Sequence, residues 1–419
     1  MKQETTGLHR AAYGNVRDVG SPSNLMAAQI PEVPDGWRAI ELGEIASRRK
    51  GTVDPKEAPG LRYVGLEHMD SGQPRLSRWG LGEDVRSAKS SFRPGDILYG
   101  KLRPYLDKAV LAEWEGICST DVLVVVPDEG VFAPFLVFAV HTKSFHDHAV
   151  ATTTGVNHPR TSWKALSRYV LPLPPVPEQR VITRLLRTVQ EAIEATERVI
   201  TAAKELKKSL MRYLFTYGPV PIDQADQIEL KETEIGPVPE GWETMEFGNL
   251  ATLQRGKDLP KAKRETGTVP VIGSNGIVGY HSVAVAKGPG VLVGRSGSVG
   301  KVTWCESDFW PLNTTLWVKD MHGNVPLYIF YRLSWFDFGR YVSGVSVPTL
   351  NRNLVHPVQL GVPPVPEQER IANLLASVGY KIRIEEDRKT ALETLFKTLL
   401  HHLMTGKVRV KELHLEQGG

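Results

Sequence analysis

Two long stretches of the chain each carry one line of apolar side chains at helical spacing. Residues 178–217 contain no proline and no glycine, and apolar or small residues recur there in steps of three and four. This first line consists of Ile182, Leu185, Val189, Ile193, Thr196, Ile200, Ala203, Leu206, Leu210 and Leu214. A second line follows between Glu367 and Met404, made of Ile371, Leu374, Val378, Ile382, Leu392, Leu395, Leu399 and Leu403. The spacing predicts two helices of matched length, each about 60 Å long at a rise of roughly 1.5 Å per residue.

The remaining hydrophobic runs are short and are separated by glycine and proline. The segments GDILYGKL (95–102) and DVLVVVP (121–127) have the β-branched composition that is typical of strands. Runs of this kind predict two mixed α/β domains, with curved sheets and long loops, over residues 37–173 and 242–362. The predicted fold class is therefore α+β.

The chain also repeats itself. IPEVPDGWRAIELGEIASRRKG from Ile30 and IGPVPEGWETMEFGNLATLQRG from Ile235 are identical at nine of 22 positions, at an offset of 205. PPVPEQRVITRLL from Pro174 and PPVPEQERIANLL from Pro363 match at an offset of 189. The protein is thus a tandem of two halves with repeated ends and different middles. The first half is longer by 16 residues, the difference between the two offsets, and the extra length lies between its opening repeat and its second loop.

These features divide the chain into six segments. The opening residues are polar and aperiodic, which predicts a loose extension. The predicted boundaries are 1–29 for the extension, 30–173 for the first domain, 174–217 for the first helix, 218–234 for a polar linker, 235–362 for the second domain, and 363–412 for the second helix and tail.

The two helices most simply bury their apolar lines on each other, as in a coiled coil. Packing each helix on its own domain instead would leave a helix end in water. The residues leave the direction open, because both parallel and antiparallel pairs let the chain return. An antiparallel pair would relate the two domains by a pseudo-two-fold axis. Trp37 and Trp242, which open the two domains, are predicted to be core anchors that clamp each domain onto the helices.

Composition adds little to this picture. The 51 lysines and arginines against 47 acidic residues give a net charge of +4, which permits nucleic acid as a partner without indicating it. Cys118 and Cys305 fit no metal spacing and are predicted to be buried thiols in a reducing cytosol. The longest apolar run, residues 131–140, is too short for a membrane span, and the amino terminus has no secretory signal. These features predict a soluble, cytoplasmic protein without a membrane partner.

The motifs argue against a catalytic centre. GRSGSVGKV (294–302) resembles a phosphate-binding loop, but Val302 follows Lys301 where serine or threonine is required, and the glycine spacing is one residue too long. The chain has no Asn-Pro-Pro-aromatic segment of adenine methyltransferases, no acid–acid–lysine nuclease arrangement and no histidine metal spacing. We therefore expect a non-catalytic protein without a metal site. The alternatives are a single-chain enzyme with an unrecognised active site and a coiled-coil scaffold that binds only protein.

Two loops in each half carry groups that contact bases or phosphates in DNA-binding proteins. The first loops are YGKLRPY (99–105) and GRSGSVGKV (294–302). The second loops, 152–163 and 341–352, align at the offset of 189. Surface loops are commonly polar and rich in glycine, so composition alone does not decide for DNA. The candidate DNA-binding residues are Lys101, Arg103, Tyr105, Asn157, His158, Arg160, Arg295, Ser296, Ser298, Lys301, Ser346, Thr349, Asn351 and Arg352.

Three sets of motifs carry a resemblance to a known family. VPDGW and VPEGW open the two domains, LPPVPEQ and VPPVPEQ precede the two helices, and LMTGKVRV (403–410) closes the chain. With these motifs the chain resembles the specificity (S) subunit of Type I restriction-modification systems, over about residues 30–412.

The resemblance implies a division of labour. Each variable domain would be a target recognition domain that reads one half of a split double-stranded DNA sequence. The helices would form an antiparallel pair that separates these domains, sets the spacer and docks two methyltransferase (M) subunits, which restriction (R) subunits then join. This chain would bind no cofactor, while S-adenosylmethionine would belong to M, and ATP and Mg to R. The alternative within this class is the recognition subunit of a methylation-only or other DNA modification system.

Overall fold

A computed structural model of the protein describes residues 32–57, 60–344 and 348–410. The extension predicted over residues 1–29 lies outside these ranges. The chain forms two compact units, here called unit 1 (Met1–Glu191 with Leu392–Gly419) and unit 2 (Ala192–Ala391). Each unit therefore combines one variable domain with a part of both long helices.

Unit 1 is built from short strands and helices. Its strands are β1 (Arg38–Glu41), β2 (Ala46–Arg48), β3 (Arg62–Val64), β4 (Gly80–Leu81), β5 (Ser90–Phe92), β6 (Ile97–Gly100), β7 (Ala109–Leu111), β8 (Gly116–Cys118), β9 (Val122–Pro127) and β10 (Val170–Leu173). Its helices are α1 (Ala133–Ala139), α2 (Lys143–Ala151), α3 (Trp163–Leu166) and the first part of α4 (Val176–Tyr217). The carboxyl-terminal part of the second long helix completes the unit.

Unit 2 repeats this composition. Its strands are β11 (Leu230–Lys231), β12 (Val238–Pro239), β13 (Glu243–Glu246), β14 (Thr252–Arg255), β15 (Val269–Gly273), β16 (Gly276–His281), β17 (Gly290–Gly294), β18 (Val302–Cys305), β19 (Trp310–Pro311), β20 (Thr315–Asp320), β21 (Val342–Ser343), β22 (Thr349–Leu350) and β23 (Gln359–Val362). Its helices are α5 (Phe247–Leu250), α6 (Pro326–Trp335), α7 (Arg352–Val355) and the first part of α8 (Val365–Met404). Residues 218–234, predicted as a linker, contain a 3-10 helix (Ile222–Gln227) and strand β11.

The two variable domains share most of their topology, although the second sheet has the order β4-β3-β8-β5 in unit 1 and β16-β15-β19 in unit 2. The central antiparallel sheet has the order β2-β9-β6-β7 in unit 1 and β14-β20-β17-β18 in unit 2. A second sheet contains one parallel pair in each unit, β3 with β8 and β15 with β19. The pairs β1-β10 and β13-β23 join the beginning of each domain to its end. The predicted mixed α/β architecture is thus confirmed for both domains.

The main core of each unit lies between its central sheet and one buried helix. In unit 1 that helix is α1, where Phe135 and Leu136 are fully buried; in unit 2 it is α6, where Tyr328 and Ile329 are fully buried. The apolar run at residues 131–140 is therefore mostly a core helix. Within the described ranges, no helix combines the length and the apolar character needed to cross a membrane.

The long helices pair in antiparallel fashion inside each unit. In unit 2, Lys204 Nζ lies 2.7 Å from Glu386 Oε1, and Lys389 Nζ donates to Glu197, so residue numbers rise along α4 as they fall along α8. In unit 1, residues 176–191 of α4 share a buried cluster with Leu403 and Met404 of α8. The two long helices therefore run antiparallel, which answers the question of direction that the sequence left open.

Three predicted members of the buried lines lie on the surface instead. Leu206, Leu374 and Leu395 are 57%, 44% and 44% exposed, so the prediction that they belong to the helix contact is wrong. Steps of three and four allow two neighbouring faces of a helix, and the pattern alone does not separate them. The contact itself includes polar positions, since Thr196 and Glu385 are both buried.

The repeated tryptophans anchor each domain to the first turn of a long helix. Trp37 Nε1 donates to Glu178 Oε2 at 2.8 Å, and Trp242 Nε1 donates to Glu367 Oε2 at 3.1 Å. Both indoles are buried, as core anchors were predicted to be. The end of the other helix closes over them, because Gly406 lies against Trp37 and Gly218 lies against Trp242. Both glycines have positive φ, which is typical of the residue after a helix.

The repeated glutamines tie the same helices to the buried helix of each domain. Gln179 Nε2 donates to Pro174 O at 2.9 Å, and its Oε1 accepts from Phe132 N, the residue before α1, at 2.8 Å. Gln368 repeats both bonds, to Pro363 O at 2.9 Å and from Val325 N, the residue before α6, at 3.0 Å. The repeated PPVPEQ segment is therefore a joint between strand, helix and core.

Replacing Gln368 with leucine is expected to destabilise unit 2 by about 2 kcal/mol or more, because each buried backbone group left without a partner costs about 1–3 kcal/mol. Urea unfolding followed by circular dichroism measures this. Gln224→Leu, at an exposed position of the same unit, is the matched control and should change stability by less than about 0.5 kcal/mol. Equal stability of the two variants would contradict the role given to Gln368.

A second bond pattern ties the carboxyl-terminal tail to unit 1. Arg409 Nε and Nη2 donate to the two carboxylate oxygens of Glu178 at 2.9 and 3.0 Å, and Nη1 donates to Asp35 O at 2.9 Å. Burial raises the pKa of Glu178, but the hydrogen bonds from Arg409 and Trp37 outweigh burial and lower its pKa overall. The carboxylate therefore stabilises the folded state in its ionised form.

This depressed pKa predicts a defined acid sensitivity. A group whose pKa is lower in the folded state stabilises above its unfolded value, about 4.3 for glutamate, and loses that contribution as the pH falls through the folded value. The difference in unfolding free energy between the wild type and Glu178→Gln should therefore be larger at pH 7 than at pH 3. Denaturant unfolding at both pH values measures this, with Glu240→Gln, at an exposed site, as the control. A difference that does not change with pH would contradict the assignment.

Candidate nucleic-acid interface

The two candidate loops of unit 1 lie side by side. Thr161 N donates to Lys101 O at 3.1 Å, and Arg103 N donates to Pro159 O at 2.7 Å. The loop at 99–105 leaves strand β6, and the loop at 152–163 connects α2 with α3. Both loops thus lie together at the carboxyl end of β6, an inner strand of the central sheet.

An ion pair fixes the centre of this surface. Arg160 Nε and Nη2 donate to the two oxygens of Asp121 at 2.9 and 3.3 Å. This hydrogen bonding from Arg160 is the main reason why the pKa of Asp121 is lowered. Arg160 therefore holds the loop and has a neutralised charge. Exposed candidates surround the pair: Arg103, Tyr105, Asn157 and His158.

The first loop of unit 1 is held in a strained conformation. Arg103 and Asp107 have φ values of 51° and 47°, the left-handed region that non-glycine residues rarely adopt. Asp107 Oδ1 lies 2.9 Å from Nδ1 of buried His141, whose Nε2 lies 2.8 Å from Ala109 O. Strain that the surroundings maintain in this way is typical of functional loops.

Unit 2 places its two candidate loops together in the same manner. Leu350 N donates to Arg295 O at 2.8 Å, and Ser296 forms a bridge with Thr349. The aligned loop glycines, Gly155 and Gly344, both have positive φ, 90° and 95°. The backbone therefore takes the same left-handed conformation at these two aligned positions.

A cavity of about 340 Å³ opens where these loops meet. It brings together four of the predicted residues, and it adds Arg255 at the end of β14. Its lining consists of Arg255, Arg295, Leu316, Ser343, Thr349, Leu350, Asn351, Arg352 and Asn353. The lining contains three guanidinium groups and no carboxylate.

Three predicted residues of unit 2 within the described ranges, Ser296, Ser298 and Lys301, do not line this cavity. Ser298 Oγ donates to Asn275 Oδ1, and Lys301 Nζ donates to Asn275 O at 2.8 Å, so both side chains hold the turn between β15 and β16. Ser296 lies beside the cavity through its bridge with Thr349. The prediction for Ser346 falls on a residue outside the described ranges.

The segment that resembles a phosphate-binding loop is a hairpin turn. Residues 295–301 connect the antiparallel strands β17 and β18, whereas a phosphate-binding loop leads from a strand into a helix. A Cβ on Gly294 would lie 1.9 Å from Ser298 O, so the tight turn itself requires glycine there. Gly294 thus serves the turn between β17 and β18.

Arg255, Ser343 and Asn353 are cavity residues that sequence reasoning missed. A signal for Arg255 was present, because the repeated opening segment ends in a basic residue and a glycine in both copies, Lys50-Gly51 and Arg255-Gly256. Ser343 lies within the predicted second loop, residues 341–352, and Asn353 directly follows it, although neither was named as a candidate.

The other chemical groups are structural. Cys118 and Cys305 are both free and buried, as predicted, and burial raises the pKa of the Cys118 thiol to about 12. Across the described ranges, no group of three or more histidine, cysteine, aspartate or glutamate side chains is arranged to hold a metal ion.

Comparison with known proteins points to one family. Residues 239–394 match the model of the Type I restriction modification DNA specificity domain. The chain is 24% identical over 423 residues to the putative type I restriction enzyme MjaX specificity subunit of Methanocaldococcus jannaschii, covering 93% of this chain and 97% of the relative. It is 28% identical over 177 residues to the type I restriction enzyme EcoDI specificity subunit of Escherichia coli, covering 42% of this chain and 39% of the relative.

The fold agrees with this comparison. The chain is similar to the crystal structure of the Type I restriction-modification system S subunit from M. genitalium, with a TM-score of 0.60 over 91% of this chain and 98% of that chain, at 16% identity. Together with the repeated segments, these comparisons show that the chain is similar to the specificity subunits of Type I restriction-modification systems.

Proposed function

We propose that each unit reads one half of a bipartite duplex DNA target through its paired loops, and that the two long helices set the spacer between the half-sites. Two methyltransferase subunits dock on the frame, and restriction subunits join them. The chain itself is non-catalytic. S-adenosylmethionine belongs to the methyltransferase subunits, while ATP and magnesium belong to the restriction subunits.

One observation carries the DNA-reading part of this proposal. Two domains of the same topology present two juxtaposed loops at the same place, yet the loop sequences differ between the copies. Side chains on such loops reach base edges, and each good bidentate contact contributes about 1–3 kcal/mol of discrimination. A constant frame with different loops suits a protein that reads two different short sequences.

Single-molecule methylome sequencing of a host that carries this chain with its methyltransferase subunit tests the proposal. The expected result is methylation at one split sequence with two fixed half-sites. Replacing the exposed residues Asn157 and His158 with alanine should relax one half-site and leave the other unchanged. Lys143→Ala, which alters an exposed residue of α2 in the same unit, is the control. Methylation that is independent of this chain would refute the proposal.

Helix α4 offers a surface for the methyltransferase subunits. Ala195, Val199, Ala202 and Leu206 are exposed and follow one another in steps of four, three and four. This heptad spacing is typical of a line that receives another helix. Val199 and Leu206 are 43% and 57% exposed, which is unusual for large apolar residues in a heptad line. We infer that a methyltransferase helix packs on this line.

Replacing both Val199 and Leu206 with aspartate is expected to abolish co-purification of the methyltransferase subunit, because two charges would have to be buried in an apolar contact. Size-exclusion chromatography of the co-expressed proteins measures this. Lys208→Asp, at an exposed position on a different face of α4, is the control and should leave the complex intact. A double variant that still co-purifies would show that the docking surface lies elsewhere.

A further inference from the structure

The cavity of unit 2 concentrates positive charge without an acidic partner. Within the described ranges, none of Arg255, Arg295 and Arg352 lies within 4.0 Å of a carboxylate oxygen. Arg352 Nη1 donates to Leu253 O at 3.1 Å, and Arg295 Nη1 reaches Asn313 O at 3.4 Å. Backbone carbonyls thus orient two of the guanidinium groups and leave their charges uncompensated.

Two of the three guanidinium groups, those of Arg255 and Arg295, lie close enough to repel each other. Burial lowers the pKa of Arg295, and the positive charge of Arg255 lowers it further. Like charges that converge in a concave, partly desolvated site raise the energy of the unliganded protein. An anion in the cavity would relieve this repulsion, whereas a neutral ligand would not.

Unit 1 does not share this feature although it shares the topology. Arg160, in the second loop of unit 1, is neutralised by Asp121. Lys50 aligns with Arg255 at the offset of 205, whereas Trp163 stands in place of Arg352 at the offset of 189, so unit 1 keeps only one of these two positive charges. The cluster of three arginines without a carboxylate partner is therefore specific to unit 2. A function that both variable domains share does not explain it.

The chemistry of DNA distinguishes two possible ligands. Base edges in the major groove present neutral acceptors, and one guanine engages one arginine through O6 and N7. Phosphate oxygens carry negative charge and accept several charge-assisted hydrogen bonds at once. Three convergent guanidinium groups, with the Asn351 amide beside them, match a phosphate better than the edge of one base.

We propose that the cavity lined by Arg255, Arg295 and Arg352 binds a backbone phosphate of the DNA, so that unit 2 supplies a sequence-independent anchor that unit 1 lacks. This inference rests on the proposed DNA-reading function. It adds that the three arginines contribute to affinity and salt dependence, and that they do not choose the base sequence.

Binding of the full chain in complex with its methyltransferase subunits tests the inference. Fluorescence anisotropy would compare a target duplex with a duplex whose unit 2 half-site is scrambled, over a series of salt concentrations. Arg255→Gln should weaken binding to both duplexes by about tenfold, the low end for a hydrogen bond between charged groups. It should leave their affinity ratio unchanged and lower the salt slope by about 0.9. The Arg255 side chain makes no hydrogen bond or ion pair within the described ranges, so this variant should keep the fold.

Two controls make the outcome specific. Arg255→Lys should restore part of the affinity, because it restores the charge. Lys287→Gln removes one charge from an exposed pair with Asp308 in the same unit and should have little effect.

Titration of inorganic pyrophosphate into the complex without DNA separates the two sources of phosphate. Pyrophosphate binding that Arg255→Gln abolishes, together with unchanged DNA binding, would assign the cavity to a free phosphate compound and overturn the proposal.

Two further outcomes would also overturn it. A collapse of the affinity ratio at one base pair would show that the arginines read a base. Wild-type affinity and salt slope in Arg255→Gln would show that the cavity does not contact DNA. If the wild-type complex itself failed to distinguish the two duplexes, the proposed reading function would fail instead, so the two failures are distinguishable.

Discussion

Replacing Trp37 with alanine is expected to destabilise unit 1 by about 3–5 kcal/mol, the usual cost of removing a buried tryptophan. The indole is only 6% exposed and lies in the main core of the unit. Its loss also removes a donor to Glu178 and the ring against which the Arg409 guanidinium lies, at 5.5 Å from the ring centre. Urea unfolding measures the loss, and hydrogen–deuterium exchange in the first turns of α4 locates it.

Two variants separate the contributions to this effect. Trp37→Phe keeps most of the packing and removes the Nε1 donor, so it should cost about 1–3 kcal/mol. Trp79, 43% exposed in the same unit, stacks on Arg62 and is the matched control, with an expected cost of about 1 kcal/mol for alanine. A Trp37→Ala variant that is no less stable than Trp79→Ala would show that the tryptophan does not anchor the domain.

The sequence predicted the two long helices well, because the signals that start, continue and end a helix lie close together in the chain. The long helices begin at Val176 and Val365, two residues before the predicted starts at 178 and 367, since Pro177 and Pro366 take the second helical position. Both end at the predicted residues, 217 and 404. Helical spacing and proline position act over a few residues, so a single sequence contains them.

The strand order of the sheets was harder to predict, because strand pairing depends on contacts between distant parts of the chain. Their strands are two to six residues long, and the pairs that define the topology join distant parts of the chain, such as Arg38 with Leu173. Strands so short carry little periodicity, and pairing across such distances is decided by tertiary packing. The sequence therefore indicated the fold class without the strand order.

The candidate loops show the same division. The juxtaposed loops could be found because an aligned glycine and proline mark each of the second loops. The sequence could not show that Arg255 lines the cavity. This residue reaches the cavity from the end of β14, about 40 residues before the first loop of its unit. Tertiary contact also decides which charges are neutralised. Arg160 and Arg295 look alike in the sequence, yet only Arg160 has a carboxylate partner within the described ranges.

The structure also locates most of the extra length of the first half. The connection between β3 and β4 comprises residues 65–79, whereas the equivalent connection between β15 and β16 comprises only residues 274–275. The longer connection contacts α4, because Gln190 Nε2 donates to Gln73 Oε1 at 3.2 Å. Pro74 O also accepts from Leu111 N at 2.9 Å. The insertion therefore supports the first domain on its helix and lies apart from the two candidate loops in the chain.

Inserting seven residues into both long helices is expected to lengthen the DNA spacer by about three base pairs and to leave both half-sites unchanged. Seven helical residues add about 10.5 Å, at roughly 1.5 Å per residue, and DNA rises about 3.4 Å per base pair. The insertion points follow Glu191 and Ala391, where the two units divide. A heptad turns the helix by only about 20° from its original face, so the packing of the helix ends within each unit is preserved.

Methylome sequencing of a host carrying the lengthened chain and its methyltransferase subunit measures the spacer directly. An insertion of five residues in both helices is the control, because it rotates the buried faces by about 140° and should abolish methylation. The seven-residue variant should methylate the new, longer site and lose the original one. Half-sites that change while the spacer stays constant would mean that the helices support the reading loops without setting their separation. A lengthened spacer with constant half-sites would establish that the repeated helices measure distance and the different loops read sequence.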